Sequence, residues 1–143
     1  MVEPGDNLLD LIDAGLASMG ESVQDGDVLV LAQKIVSKAE DRYLDLRTVE
    51  PTSEAEALAL EVDKDPRKVQ AILNESVEVV RKRPGVLIVE HKLGFVQANA
   101  GIDQSNIAGD PNDPEAICLL LPMDPDASAR ALREAIATKH GHR

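Results

Sequence analysis

Aromatic side chains are almost missing from this chain. Of its 143 residues one is Phe, one is Tyr and none is Trp, so aromatics make up 1 %. The core must therefore be packed from Leu, Val, Ile and Ala. Cysteine is equally scarce: Cys118 stands alone, which excludes an intrachain disulfide and points to a reduced, cytoplasmic setting. Its place inside "AICLLLP" reads as a buried thiol rather than a nucleophile. Positive charge is short as well, with 15 Lys plus Arg against 26 Asp plus Glu and a formal charge of −11. Such an acidic surface argues against nucleic-acid partners and against anchoring on anionic membranes. A few basic residues can still converge on an anionic ligand. No apolar run approaches the roughly 18 residues of a membrane span. The start "MVEPGDN" has no signal-peptide character, so a soluble protein is expected. Repeats, low-complexity tracts and long flexible linkers are also lacking.

What is present suits one globular domain. Hydrophobic residues make up 43 %, which excludes disorder as the default. "EPGDNLLDLIDAGLASMG" predicts a helix capped by Asp6, striped by Leu8, Leu9, Leu11, Ile12 and Leu16, and stopped at Gly20. "VLVLA", Val28 to Ala32, predicts a strand covered on both faces. "RYLDL" predicts a second strand. From Pro51 to Arg83 the pattern is helical. One helix there is capped at Thr52 or Ser53. The other opens with Asp65 as cap and Pro66 as first residue, with Val69, Ile72, Leu73, Ser76 and Val80 near one face. "VLIVEH", "GFVQA" and "AICLLL" predict strands, and Asp124-Pro125 opens a last helix closed by Gly141. The class is α/β (α+β), a mixed sheet flanked by helices.

Three segments have residues that could carry chemistry. "AQKIVSKAE" follows the predicted strand at Val28, where open α/β sheets bind ligands, and it sets Lys34 and Lys38 around Ser37. Ammonium groups grip phosphate as point charges, yet the lysines also suit a solvated edge. The glycines of a P-loop are absent. In "VEHKLGF", His91 reads as a base or metal ligand, or as a structural histidine; no zinc pattern accompanies it. The third segment is "NAGIDQSN", Asn99 to Asn106. Asp103 offers a carboxylate, Ser105 and Asn106 offer neutral oxygens, and Gly101 permits unusual backbone. Magnesium or manganese accepts one or two carboxylates when phosphate oxygens complete the shell. An Asx-rich turn that bonds its own backbone fits the same residues. "GDPNDP" beyond it reads as turns.

The ordered words "VSKAE", "RKRPGVLIVEHKLGFVQANAGIDQSN" and "LLLPMDPDASARALR" carry a more specific signal. Over nearly all 143 residues the chain resembles the coenzyme F-420-0:gamma-L-glutamyl ligase family. That resemblance implies the fold of those ligases, with residues 1–143 as the amino-terminal portion of one domain, incomplete at its carboxyl end. It implies GTP-dependent addition of L-glutamate to coenzyme F-420-0, through an acyl phosphate and without a covalent enzyme nucleophile. A divalent magnesium or manganese ion is implied, with potassium as a helper, and a homodimer. By motif, Asp103 matches the metal-holding aspartate and Asn106 a nucleotide contact. Gln33, Lys34 and Lys38 match nucleotide-binding positions, and no catalytic residue is assigned. A remnant that keeps only nucleotide binding or a dimerisation role is the competing reading.

Overall fold

The computed structural model describes residues 2–105, 107 and 112–141. In chain order its regular elements are α1 (Leu8–Met19), α2 (Gln33–Ala39), β1 (Tyr43–Asp45), α3 (Ser53–Val62), α4 (Pro66–Asn74), β2 (Ser76–Arg83), β3 (Val86–His91), β4 (Val96–Ala98), β5 (Ile117–Leu119) and α5 (Pro125–His140). They fall into two compact units, residues 1–42 with 121–143 and residues 43–120.

The first unit holds α1, α2 and α5. Asn7, not the expected Asp6, caps α1 by accepting the Leu9 N–H at 3.0 Å. Asp6 instead accepts the Glu3 N–H at 2.8 Å, closing the turn before the helix. Gly20 ends α1 in the left-handed conformation (φ 72°), as expected. α5 starts at Asp124, whose carboxylate accepts the Ala127 N–H at 2.8 Å. Its last turn returns to α1. Lys139 lies 2.7 Å from Asp13 and His140 2.8 Å from the same carboxylate. The Lys139 hydrogen bond, with His140, holds the Asp13 carboxyl below the usual range, against the effect of desolvation.

"VLVLA" does not form the expected buried strand. Residues 28–32 are irregular, and Val28 and Val30 are each 86 % exposed. A continuous apolar run is favourable in a sheet only when neighbouring strands cover both faces. Among the described residues no strand pairs with it.

In the second unit the strands pair antiparallel throughout, in two sheets rather than one mixed sheet: β1 with β5, and β2-β3-β4. The expected α/β class holds. Leu87, Val89 and His91 alternate inward along β3. Leu87 and Val89 pack with Leu58 and Val62 of α3 and with Val69 and Ile72 of α4 in a core without aromatics. Thr52 caps α3 through the Ala55 N–H, and Asp65 caps α4 with Pro66 behind it, as the sequence predicts. The helix predicted through Val80 stops at Asn74, and residues 76–83 form β2. Two register shifts, between Ser76 and Glu78 and between Val79 and Arg81, interrupt its alternation. Each bulge adds a residue, so the apolar positions drift from period two toward a helix-like spacing. Among the described residues no helix is long and apolar enough to cross a membrane.

Candidate functional site

The polar loop after β4 is built on strained backbone. Asn99, Ala100 and Gly101 follow one another with φ of 53°, 51° and 69°. Asn and Gly visit this region at small cost, but Ala100 does so against the clash of its own Cβ. Ala100 is buried in the core cluster, which holds it there. Such strain collects where surrounding structure over-determines a functional segment.

The turn delivers the chain to Asp103, which forms an isolated antiparallel bridge with Leu119. The Asp103 N–H donates to the Leu119 carbonyl at 3.1 Å, and the Leu119 N–H returns a bond of 2.8 Å. Asp103 Oδ1 accepts the Ser105 N–H at 2.7 Å. β5 thus holds the Asp103 backbone, and the half-buried carboxylate is oriented by the Ser105 N–H of its own turn.

Gln104, beside it, is fixed at both ends of its amide. Oε1 accepts the Lys68 ammonium, from the first turn of α4, and Nε2 donates to the Glu115 carbonyl at 2.6 Å. Neither Lys68 nor Gln104 stands out in the sequence, because the tie joins residues 36 apart. The available hint was a lysine in the first turn of a capped helix, an end that disfavours cations. Cys118 lies between Ile117 and Leu119 on β5, fully buried, and desolvation pushes its thiol up to about 11, with the Lys68 charge opposing. This is the inert thiol its apolar neighbours predicted.

In the other unit α2 carries the remaining sequence-predicted positions. Lys34 and Lys38 share one face at i and i+4, and both are half-buried. Gln33 Nε2 donates to the Ser37 hydroxyl at 2.6 Å, one turn on, and Ser37 is buried. Asn106 lies outside the described residues.

His91 is structural in its surroundings. It is 3 % exposed, its ring stacks on Phe95 with centroids 5.2 Å apart, and Nδ1 accepts the Leu93 N–H at 2.9 Å. That bond puts the proton of the neutral ring on Nε2, which faces the Glu75 carboxylate at 3.7 Å. A concavity of about 490 Å³ between α3 and α4, lined by Glu56, Leu60, Asp63 and Lys64 among others, contains none of the sequence-predicted site residues.

Among the described residues no three His, Cys, Asp or Glu side chains converge as a metal cage. A cation that arrives on a nucleotide needs less: one or two carboxylates, with phosphate oxygens and water completing the shell. Asp103, a hard oxygen donor on a braced loop, fits that smaller requirement.

Comparison with known proteins bears on the whole chain. The family described as F420-0:Gamma-glutamyl ligase matches residues 1–143. The chain belongs to that family. Among curated relatives, the coenzyme F420:L-glutamate ligase of Methanothermobacter thermautotrophicus is 42 % identical over 139 residues, covering 94 % of this chain and 53 % of the relative. The enzyme of the same name from Methanopyrus kandleri is 42 % identical, with 94 % and 49 % covered. That of Archaeoglobus fulgidus is 39 % identical, with 100 % and 53 % covered. The chain thus spans about half the length of the family members it matches.

Proposed function

We propose that this chain works in coenzyme F420 biosynthesis as part of a GTP-dependent ligase that joins L-glutamate to coenzyme F420-0. The observation that carries the reading is a family match along the full chain, coinciding with a braced carboxylate at Asp103. In this reading Asp103 holds a magnesium or manganese ion that arrives with GTP. Lys34 and Lys38 hold phosphate oxygens, Gln33 and Asn106 add nucleotide contacts, and the protein acts as a homodimer. When bound, the cation supplies neutralisation of the phosphate charge.

The reaction itself asks little covalent work of the protein. A carboxylate oxygen of the F420-0 side chain attacks the γ-phosphorus of GTP, the bond to the bridging oxygen breaks, and GDP leaves. The glutamate amine then attacks the acyl carbon, the phosphate leaves with the electron pair of the broken C–O bond, and the amine proton goes to solvent. Positioning and charge neutralisation are the main catalytic demands in such phosphoryl transfer. Two ammonium groups and a fixed carboxylate are groups of the right kind. A covalent nucleophile is unnecessary, which agrees with the inert state of Cys118.

One observation favours a second reading, a non-catalytic chain that retains nucleotide binding or a dimerisation role. The braced carboxylate of Asp103 can hold a nucleotide-borne cation whether or not a glutamate is then joined. Calorimetry with GTP and manganese, on the parent and on Asp103→Asn, tests the shared step. The variant should bind on the order of tenfold more weakly, the scale of a disturbed metal environment. Equal affinity would refute the role of Asp103. A glutamylation assay with coenzyme F420-0, L-glutamate, GTP and manganese then separates the two readings: binding with product supports the ligase, binding without product the second.

A further inference from the structure

Lys68 stands in the first turn of α4, where backbone N–H groups and the helix dipole disfavour a positive charge. Its ammonium nevertheless rests half-buried on Gln104 Oε1, and Gln104 Nε2 donates to the Glu115 carbonyl. With both ends of the amide used, the Gln104 side chain has one orientation. Gln104 is the residue between Asp103, bridged to Leu119, and Ser105, whose N–H donates to the Asp103 carboxylate. A helix therefore grips this segment at the position next to the one held by a strand. Rotating the Asp103 carboxylate would break the Ser105 N–H bond, and Gln104 is the central residue of the turn that this bond closes.

We propose that Lys68, acting through Gln104, is a positioning residue that aims the Asp103 carboxylate at a nucleotide-borne divalent cation. The inference rests on the reading of Asp103 as the metal-holding residue and adds the device that orients it. Positioning and simple electrostatics predict opposite signs. By charge alone Lys68 repels a nearby cation, so removing it would tighten metal binding. As half of a clamp, Lys68 aids binding, and its removal weakens it.

The experiment measures manganese affinity in the presence of GTP, by the paramagnetic signal of free manganese, with thermal unfolding alongside. The proteins are the full chain, Lys68→Ala, Gln104→Ala, the double variant, Lys68→Arg and Asp103→Asn. Each single Ala variant should bind manganese about tenfold more weakly, as for loss of a group that orients a ligand. The double variant should be no worse than the weaker single, because both remove one clamp. Lys68→Arg restores a donor to Gln104 and should bind near the parent, with all melting temperatures close together. Parental or tighter affinity in Lys68→Ala, additive losses in the double variant, or losses that track melting temperature would each overturn the proposal. If Asp103→Asn also binds like the parent, the metal role of Asp103 fails and the clamp has nothing to aim. If only Asp103→Asn is weakened, the clamp alone is refuted.

Discussion

Asp65→Ala removes two interactions from the start of the helix that presents Lys68. Asp65 Oδ1 accepts the Arg67 N–H at 2.7 Å, the capping bond of α4. Its Oδ2 also meets Arg67 Nη2 at 2.6 Å, in a pair whose side chains are 35 % and 34 % exposed. Loss of such a cap costs about 1 kcal/mol. An ion pair this open to solvent adds only about 0.5 kcal/mol. The total, about 1.5 kcal/mol, should lower the melting temperature by roughly 5 °C in a chain of this size. Asp65→Asn keeps the acceptor and loses the charge, so it should cost only about 0.5 kcal/mol.

The pH dependence has a definite sign. The Arg67 side-chain hydrogen bond, the largest cause, holds the Asp65 carboxyl below the ordinary aspartate range, against the opposing effect of desolvation. A depressed folded value gives stabilisation that is present above the unfolded pKa, near 4, and is lost as pH falls through the folded value. The gap between parent and Asp65→Ala should therefore be widest near neutrality and narrow on acidification below about pH 4. Urea unfolding at both pH values measures the gap, and hydrogen exchange of the Arg67 amide reports the cap directly. Parental stability and parental Arg67 protection in Asp65→Ala at neutral pH would refute the capping argument.

Two further outcomes are open to measurement. Lys38→Ala should cost about tenfold in GTP affinity, the scale of one charge-assisted hydrogen bond, and much less in guanosine affinity. Equal losses for the two ligands would remove the phosphate role. Ile72→Ala, at a fully buried core position, should destabilise by about 2–5 kcal/mol, whereas Val30→Asp, at a position 86 % exposed, should stay within about 0.5 kcal/mol of the parent. A large loss from Val30→Asp in urea unfolding would mean that this run is covered after all.

The features legible in the sequence are those decided within a few residues. Thr52, Asp65 and Asp124 cap their helices through bonds to N–H groups two or three residues on, and Gly20 and Gly141 close theirs at positive φ. Asp6 and Asn7 show the limit of that logic, because adjacent Asx residues can each cap something and only Asn7 caps the helix. Tertiary partners were not legible. The run at Val28 is as apolar as a buried strand, but hydrophobicity does not name a neighbour, and the run lies exposed. β2 was hidden by its bulges, which let Ser76 and Val80 mimic the stripe of a helix. The Lys68–Gln104 tie crosses 36 residues and has no local signature except a lysine at the unfavourable helix end.

The polar loop posed a choice between a self-bonded turn and a site, and its geometry removes the opposition. Asp103 does make the Asx-type bond to the Ser105 N–H that a plain turn would make. A plain connection could make that bond without placing Ala100 in the left-handed region, at a cost of about 1–3 kcal/mol. Nor would it need a backbone bridge to Leu119 on one side and a lysine-held amide on the other. The bridge and the amide hold the backbone on either side of the turn, and the Ser105 N–H holds the carboxylate itself. A ligand for a hard cation needs that restriction, because a carboxylate fixed before binding loses less rotational freedom when the ion arrives. The self-bonding of the turn is thus the means by which the loop can serve as a site.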